Sequence, residues 1–228
     1  VGIGGSTNEP GDPGLRPLHG GRHSIPADVL AHNQRERLLA ALASCAAEHG
    51  YNATTISQIT SAASVSRRTF YEHFAGKEEC FLAAYEALDG YIGTVIEEAV
   101  ARESEWPDQV AAAFVDLLDF LASRPNFARL YLVEAAVVGE GMADAREKTA
   151  KRFIALLEPG RRYRDVDPGV EEGLVGGIVT LLGRRVLGGE ADRLDRFAPG
   201  LLEFALSPYL GADEARRAIE RHAPQPRT

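Results

Sequence analysis

Apolar residues recur at three- and four-residue spacing through almost the whole of this chain, and no run alternates apolar with polar for long enough to make a strand. Helices alone satisfy that pattern, so the expected class is all-α. A first helix is expected over 31–48, starting as early as 28, with Leu38, Leu39, Leu42, Cys45 and Ala46 on its buried stripe and Gly50 as its stop. Thr55 has Gln58 three positions on, the spacing of a capping box, and opens a short helix that reaches Ala62. Ser66 can cap a second short helix, from Arg67 to about Phe74, which Ala75 and Gly76 end. From Lys77 the period resumes through Phe81, Leu82, Tyr85, Leu88, Ile92, Val95, Ile96 and Val100. That is about 26 residues, a rod of about 39 Å, with Gly90 and Gly93 as its candidate bend points.

Prolines and glycines punctuate the rest. Pro107 and Pro125 open two further helices, and Gly139 and Gly141 precede a third through Arg146, Phe153, Ile154 and Leu157. Pro159 and Gly160 begin a polar connection over 161–167, read as a variable or mobile loop. Two strongly apolar helices come next, over 170–187 and 199–210. Helices so apolar need more than one neighbour: either both are central in their own domain, or Leu174, Ile178, Leu181, Leu182, Leu201, Leu202, Phe204 and Leu206 meet their copies across a two-fold axis. The chain thus divides into a tail over 1–27, a helical head over 28–76, a larger helical domain over 77–212 and a charged tail over 213–228, where Pro224 and Pro226 end any order.

Composition limits the function classes. With 228 residues, 45% of them apolar and 25% charged, the chain can bury a core without covalent staples, and its two cysteines, Cys45 and Cys80, read as small buried hydrophobes. Charges interrupt every apolar segment well before the roughly 20 residues a membrane span requires. The glycine- and proline-rich start lacks the cationic and apolar parts of a secretory signal, so residues 1–27 read as a disordered or appended tail and the location as cytoplasmic. The six histidines are scattered, without a helical ligand pair, a Cys-x-x-Cys or a glycine-rich phosphate loop. Neither a metal, a cofactor nor an enzyme is expected.

A net charge of -8 does not argue against nucleic acid, because the field at a small patch decides binding, and Arg67, Arg68, His73 and Lys77 lie within one short stretch. Two short helices joined by a tight turn are the means by which one helix braces and the other enters a major groove about 12 Å wide. Ile56, Ile59, Ala62, Val65, Phe70 and Phe74 are the expected wedge, leaving Arg67, Arg68, Thr69, Tyr71 and His73 outward. Arg67 and Arg68 can pair with guanine or phosphate, and Thr69 can touch a thymine methyl. Tyr71, His73, the Thr55 hydroxyl and Lys77 suit the phosphate backbone, as does the helix start at Ser66.

Residues 35–85 resemble the amino-terminal domain of the TetR family. The resemblance rests on Thr55, the turn Ala63-Ser64-Val65-Ser66, the ending Tyr71 to Phe74, the opening Lys77-Glu78, and Phe81-Leu82. Ser64 stands where glycine is usual, and a left-handed backbone there would cost serine about 1 to 2 kcal/mol. The resemblance implies a regulator, most often a repressor, that binds a palindromic double-stranded operator as a homodimer and is released by a small-molecule effector. Candidate contacts to that effector are Trp106, Phe114, Phe127, Tyr131, Met142 and Phe153, with Glu134 and Arg146 as polar anchors, a set suited to an apolar or aromatic ligand. The competing reading is a dimeric helical interaction module without sequence-specific DNA binding.

Overall fold

The computed structural model describes residues 27–222 other than 168, and no strand occurs among the described residues. The expected leading tail lies outside them up to residue 26, as do Pro224 and Pro226. The head consists of α1 (Ala27–His49), α2 (Ile56–Ala63) and α3 (Arg67–His73). Leu38, Leu42, Ala46, Ile59, Phe70 and Phe74 close its core. Gly50, at a φ of 79°, turns the chain out of α1 in the left-handed conformation that glycine adopts without strain.

α4 (Lys77–Ala101) leaves the head as a 25-residue rod. It runs as one continuous helix through Gly90 and Gly93. Open space surrounds Gly90, whereas the guanidinium of Arg152 lies against Gly93. α5 (Trp106–Ala122) packs along α4 and carries its apolar residues all round, from Val110 to Leu121. Such a helix belongs at a domain centre, and truncation of the fully covered Leu118 to alanine would cost about 2 to 5 kcal/mol.

α6 (Pro125–Arg129) passes into a π-turn over Leu130–Glu134 and a last short turn, α7 (Ala135–Val137), where the apolar period indicates one ordinary helix. α8 (Ala143–Leu157), α9 (Val170–Leu187), α10 (Ala198–Leu210) and α11 (Ala212–His222) complete the domain.

Two expectations about the connections are corrected. The segment after Pro159 is tethered at both faces: Glu158–Arg162 forms a 3-10 turn, Gly160 is packed tightly beneath Trp106 and Tyr209, and Arg161 grips the buried carboxylate of Glu171 with two hydrogen bonds of 2.7 and 2.8 Å. The charged tail is helical over α11, whose buried Ala215, Ala218 and Ile219 pack it on α5 and α10. Its charges face outward, and Arg221 reaches Asp108 at the start of α5.

Candidate nucleic-acid interface and buried polar cluster

The two short helices are fixed by reciprocal caps. The Thr55 hydroxyl accepts from the backbone N–H of Gln58, while the Gln58 side-chain oxygen accepts from the backbone N–H of Thr55 at 2.7 Å. Ser66 caps α3 by accepting from the N–H of Thr69 at 3.0 Å. Between them Ser64 stands at φ 51° and ψ 48°, in the left-handed conformation that strains serine. Arg37 of α1 steadies it by donating to the carbonyls of Ala63 and Ser64. The wedge differs from expectation at one step: Ala63 is buried and Ala62 exposed, because a helix as short as α2 turns a different alanine toward α1.

The outward residues of α3 fall into two groups. Arg68 and Tyr71 are well exposed, Arg68 paired only with Glu72 one turn on and Tyr71 resting edge-on against Phe70. Arg67, also exposed, donates to the Ser57 hydroxyl of α2 at 2.7 Å and bridges the two short helices. Thr69 shares a hydrogen bond with the capping Ser66, and His73 is half-buried against Phe74. Arg67, Arg68, Thr69 and Tyr71 lie on α3, beside the exposed Thr55 and Ser57 at the start of α2.

Lys77 departs from its expected place at the phosphate backbone. Its ammonium turns inward, donating to the carbonyls of Tyr51 at 2.7 Å and Thr54 at 2.8 Å and lying over the Tyr51 ring. Burial lowers its pKa, and the surrounding carbonyls satisfy the charge. The Tyr51 carbonyl also accepts the Thr54 amide at 3.2 Å, and Lys77 adds a charged donor to the turn that sequence spacing does not reveal.

The same turn is held from the other side. Glu134, at the end of the π-turn, is buried and accepts the backbone N–H of Tyr51 at 2.8 Å and Nε of Arg129 at 2.9 Å. Its carboxylate joins the larger domain to the head, and it is not free to anchor a ligand as expected.

A second polar cluster lies deeper in the larger domain. Asp89 of α4 is buried and accepts from the Tyr131 hydroxyl (2.8 Å), the Thr149 hydroxyl (2.8 Å) and Nη1 of Arg152 (2.7 Å). Tyr85 stacks on Tyr131 and donates to Thr149. Burial pushes the Asp89 carboxyl up, but the hydrogen bonds and charge of Arg152, with Tyr131 and Thr149, hold it below the usual carboxylate range. Of these residues the sequence singles out only Tyr131, as an aromatic effector contact; Asp89 in the apolar period of α4 and Thr149 in the charged α8 give no local signal.

The remaining candidates separate by burial. Trp106, Phe114 and Met142 are core residues, and the Trp106 indole donates to the carbonyl of Leu156. Phe127 and Phe153 are half-buried, and Arg146 is exposed. Two open surface pockets, of about 430 and 330 Å³, lie elsewhere: one beside Tyr163, Arg164 and Arg217, the other beside Tyr91, Phe120 and Arg124. Among the candidates for a two-fold interface, Leu174, Ile178, Leu182, Leu201, Leu202 and Leu206 are buried within the single chain. Leu181 and Phe204 alone of that set remain exposed, joined on the surface by Val179 and Leu187. The most apolar faces of α9 and α10 close their own domain, and a narrower outer stripe is left over.

Comparisons with known proteins agree with this geometry. Residues 38–84 match the model of the bacterial regulatory proteins of the tetR family. The chain is 27% identical to the transcriptional regulator AcuR of Cereibacter sphaeroides over 68% of its own length and 69% of that protein. It is 37% identical to the transcriptional repressor AcnR of Corynebacterium glutamicum over 33% of its length and 40% of that protein. Its fold resembles the transcriptional regulator FadR of Bacillus subtilis, solved in complex with stearoyl-CoA, with a TM-score of 0.65 at 19% identity, over 75% of this chain and 97% of that one. The matched segment contains both caps, the Ser64 joint, the exposed Arg68 and the opening of α4. With that head mounted on a helical second domain, the chain is similar to transcriptional regulators of the TetR family, and the family's model matches its head.

Proposed function

We propose that this regulator binds a palindromic operator in double-stranded DNA as a homodimer, represses from it, and is released when a small molecule occupies the larger domain. The observation that carries the reading is the exposed face of α3, where Arg68 and Tyr71 project beside Arg67, Thr69 and the cap of α2. Arg68 is held only by a surface pair with Glu72, worth about 0.5 kcal/mol at most, so DNA can claim it at little cost. Arg67 keeps its Ser57 contact within the head and meets a phosphate or base edge with its remaining donors.

Two copies would meet through the outer stripe of α9 and α10, where Val179, Leu181, Leu187 and Phe204 are exposed and open space lies over Gly173 and Gly176. Operator binding by such a dimer requires two α3 helices about 34 to 36 Å apart, at successive major grooves. DNA as the target places the protein in the cytoplasm; among the described residues no helix is long and apolar enough to cross a membrane. Effector contact is assigned to Tyr131 and the buried Asp89 cluster. FadR's complex with stearoyl-CoA supports a ligand within this fold.

A mobility-shift titration of the full chain against DNA upstream of its own gene tests the reading. Specific retardation that Arg68→Ala weakens about tenfold or more is expected, since one bidentate contact is worth about 1 to 3 kcal/mol. Equal affinity of both proteins for that DNA and for an unrelated duplex would overturn it.

A further inference from the structure

The π-turn over Leu130–Glu134 touches three parts of the molecule through three of its five residues. The Tyr131 hydroxyl donates to Asp89 of α4, inside the buried polar cluster. The Leu132 carbonyl lies against Gly183 of α9, where a Cβ would stand 3.2 Å from it. Glu134 accepts the backbone N–H of Tyr51, beside Gly50, at the hinge between α1 and α2. A π-turn holds one residue more than an α-turn, and surrender of that residue rotates the succeeding residues by about 100°. The three contacts are therefore compatible in one register only. Buried polar networks of this kind have discrete arrangements and do not deform smoothly.

We propose that Glu134 is the positioning residue through which the larger domain sets the reading head, with the π-turn as the two-state element that couples the Asp89 cluster to the Tyr51 hinge. The inference rests on the regulator reading given above and adds the route of control. A molecule that takes Tyr131, Thr149 or Arg152 away from Asp89 releases the π-turn, Glu134 leaves Tyr51, and the head loses its fixed angle on α4. Lys77 holds the opposite side of the same turn through the Tyr51 and Thr54 carbonyls, so the head stays folded while its orientation is freed.

The test is a double-mutant cycle in the full chain, with two readouts: affinity for a duplex obtained by random-site selection, and hydrogen exchange at the Tyr51 amide. Tyr131→Phe removes only the hydroxyl that reaches Asp89; it is expected to weaken duplex binding about threefold or more and to speed Tyr51 exchange, although that hydroxyl is bonded within the larger domain. In a Glu134→Ala background the same substitution is expected to add nothing to either readout, whereas Glu134→Gln, which keeps an acceptor for the amide, restores Tyr51 protection. Unchanged exchange and affinity in Tyr131→Phe, or independent effects of the two substitutions, would overturn the proposal. Should Tyr131→Phe not fold, Thr149→Val removes another donor to Asp89 and is read in the same way. A wild-type chain that selects no duplex defeats the regulator reading instead, and the exchange arm then decides the coupling alone.

Discussion

Arg37 on α1 donates to the main-chain carbonyl of Ser64 at 3.2 Å, so the first helix clamps the only non-glycine residue with positive φ among those described. Left-handed serine costs about 1 to 2 kcal/mol, and glycine removes that cost while adding about 0.5 to 1 kcal/mol of chain entropy to be lost on folding. Ser64→Gly is therefore expected to stabilise the protein by up to about 1 kcal/mol, read as a higher Tm with duplex affinity retained. Arg37→Ala should lower the Tm, leaving two carbonyls at the end of α2 without their charged donor.

Lys77 and Arg68 are both cations near the head surface, yet Lys77 is turned inward to backbone carbonyls while Arg68 is exposed, where the proposed function puts DNA. Lys77→Met deprives the Tyr51 and Thr54 carbonyls of a charged donor and should cost about 1 to 3 kcal/mol of stability, with the salt dependence of DNA binding unchanged. Arg68→Ala should leave stability almost untouched. If Arg68 lies on a phosphate, the slope of log affinity against log salt becomes shallower by about one; if it reads a base, specificity relaxes at one operator position. Thermal melts combined with titrations at several salt concentrations separate the two residues.

The Arg161–Glu171 pair ties the turn after α8 to the start of α9. The Arg161 guanidinium holds the Glu171 carboxyl down at about 2, well under the ordinary glutamate value, so the folded state binds this proton less readily than the unfolded chain does. The stabilisation is complete above the ordinary glutamate range, shrinks as pH falls through it, and is gone below the folded value. The difference in unfolding free energy between wild type and Glu171→Gln should therefore be largest near neutrality and shrink between about pH 5 and pH 2. A difference independent of pH would show that the pair contributes packing and no charge.

Much of the head was legible because its signals are local. A cap and its partner stand three residues apart, as Thr55 and Gln58 do, and the Ser64 joint is marked by its neighbours in the turn. The features that sequence reading missed are non-local. Lys77 turns inward to carbonyls 23 and 26 positions away, and Glu134 serves Tyr51 across 83 positions. The apolar period of α9 and α10 located two helices but not the side that faces outward, since six of the eight residues expected at a two-fold interface are consumed by the protomer's own core. In α11 the reverse occurred: charges set the expectation, while Ala215 and Ala218 are too small to advertise the face they bury.

The outer face of α9 and α10 gives a prediction about assembly. Phe204 lies over Gly177 of α9 and remains half exposed, and Leu187 is more exposed still. Phe204→Glu should shift the chain from dimer to monomer in sedimentation equilibrium, with little loss of helix signal because neither side chain completes the protomer core. A dimer that survives the substitution would place the two-fold axis elsewhere on the molecule.

Whether α2 and α3 form a reading head used in pairs is decided by random-site selection with the full wild-type chain at a stated salt concentration. The expected result is enrichment of a two-fold symmetric site whose half-sites are centred one helical turn apart, about 10 base pairs, or a multiple of it. Arg67→Ala and Arg68→Ala should each reduce or redirect that enrichment. No enriched sequence, or an enriched site selected equally well by both variants, would contradict a paired reading head.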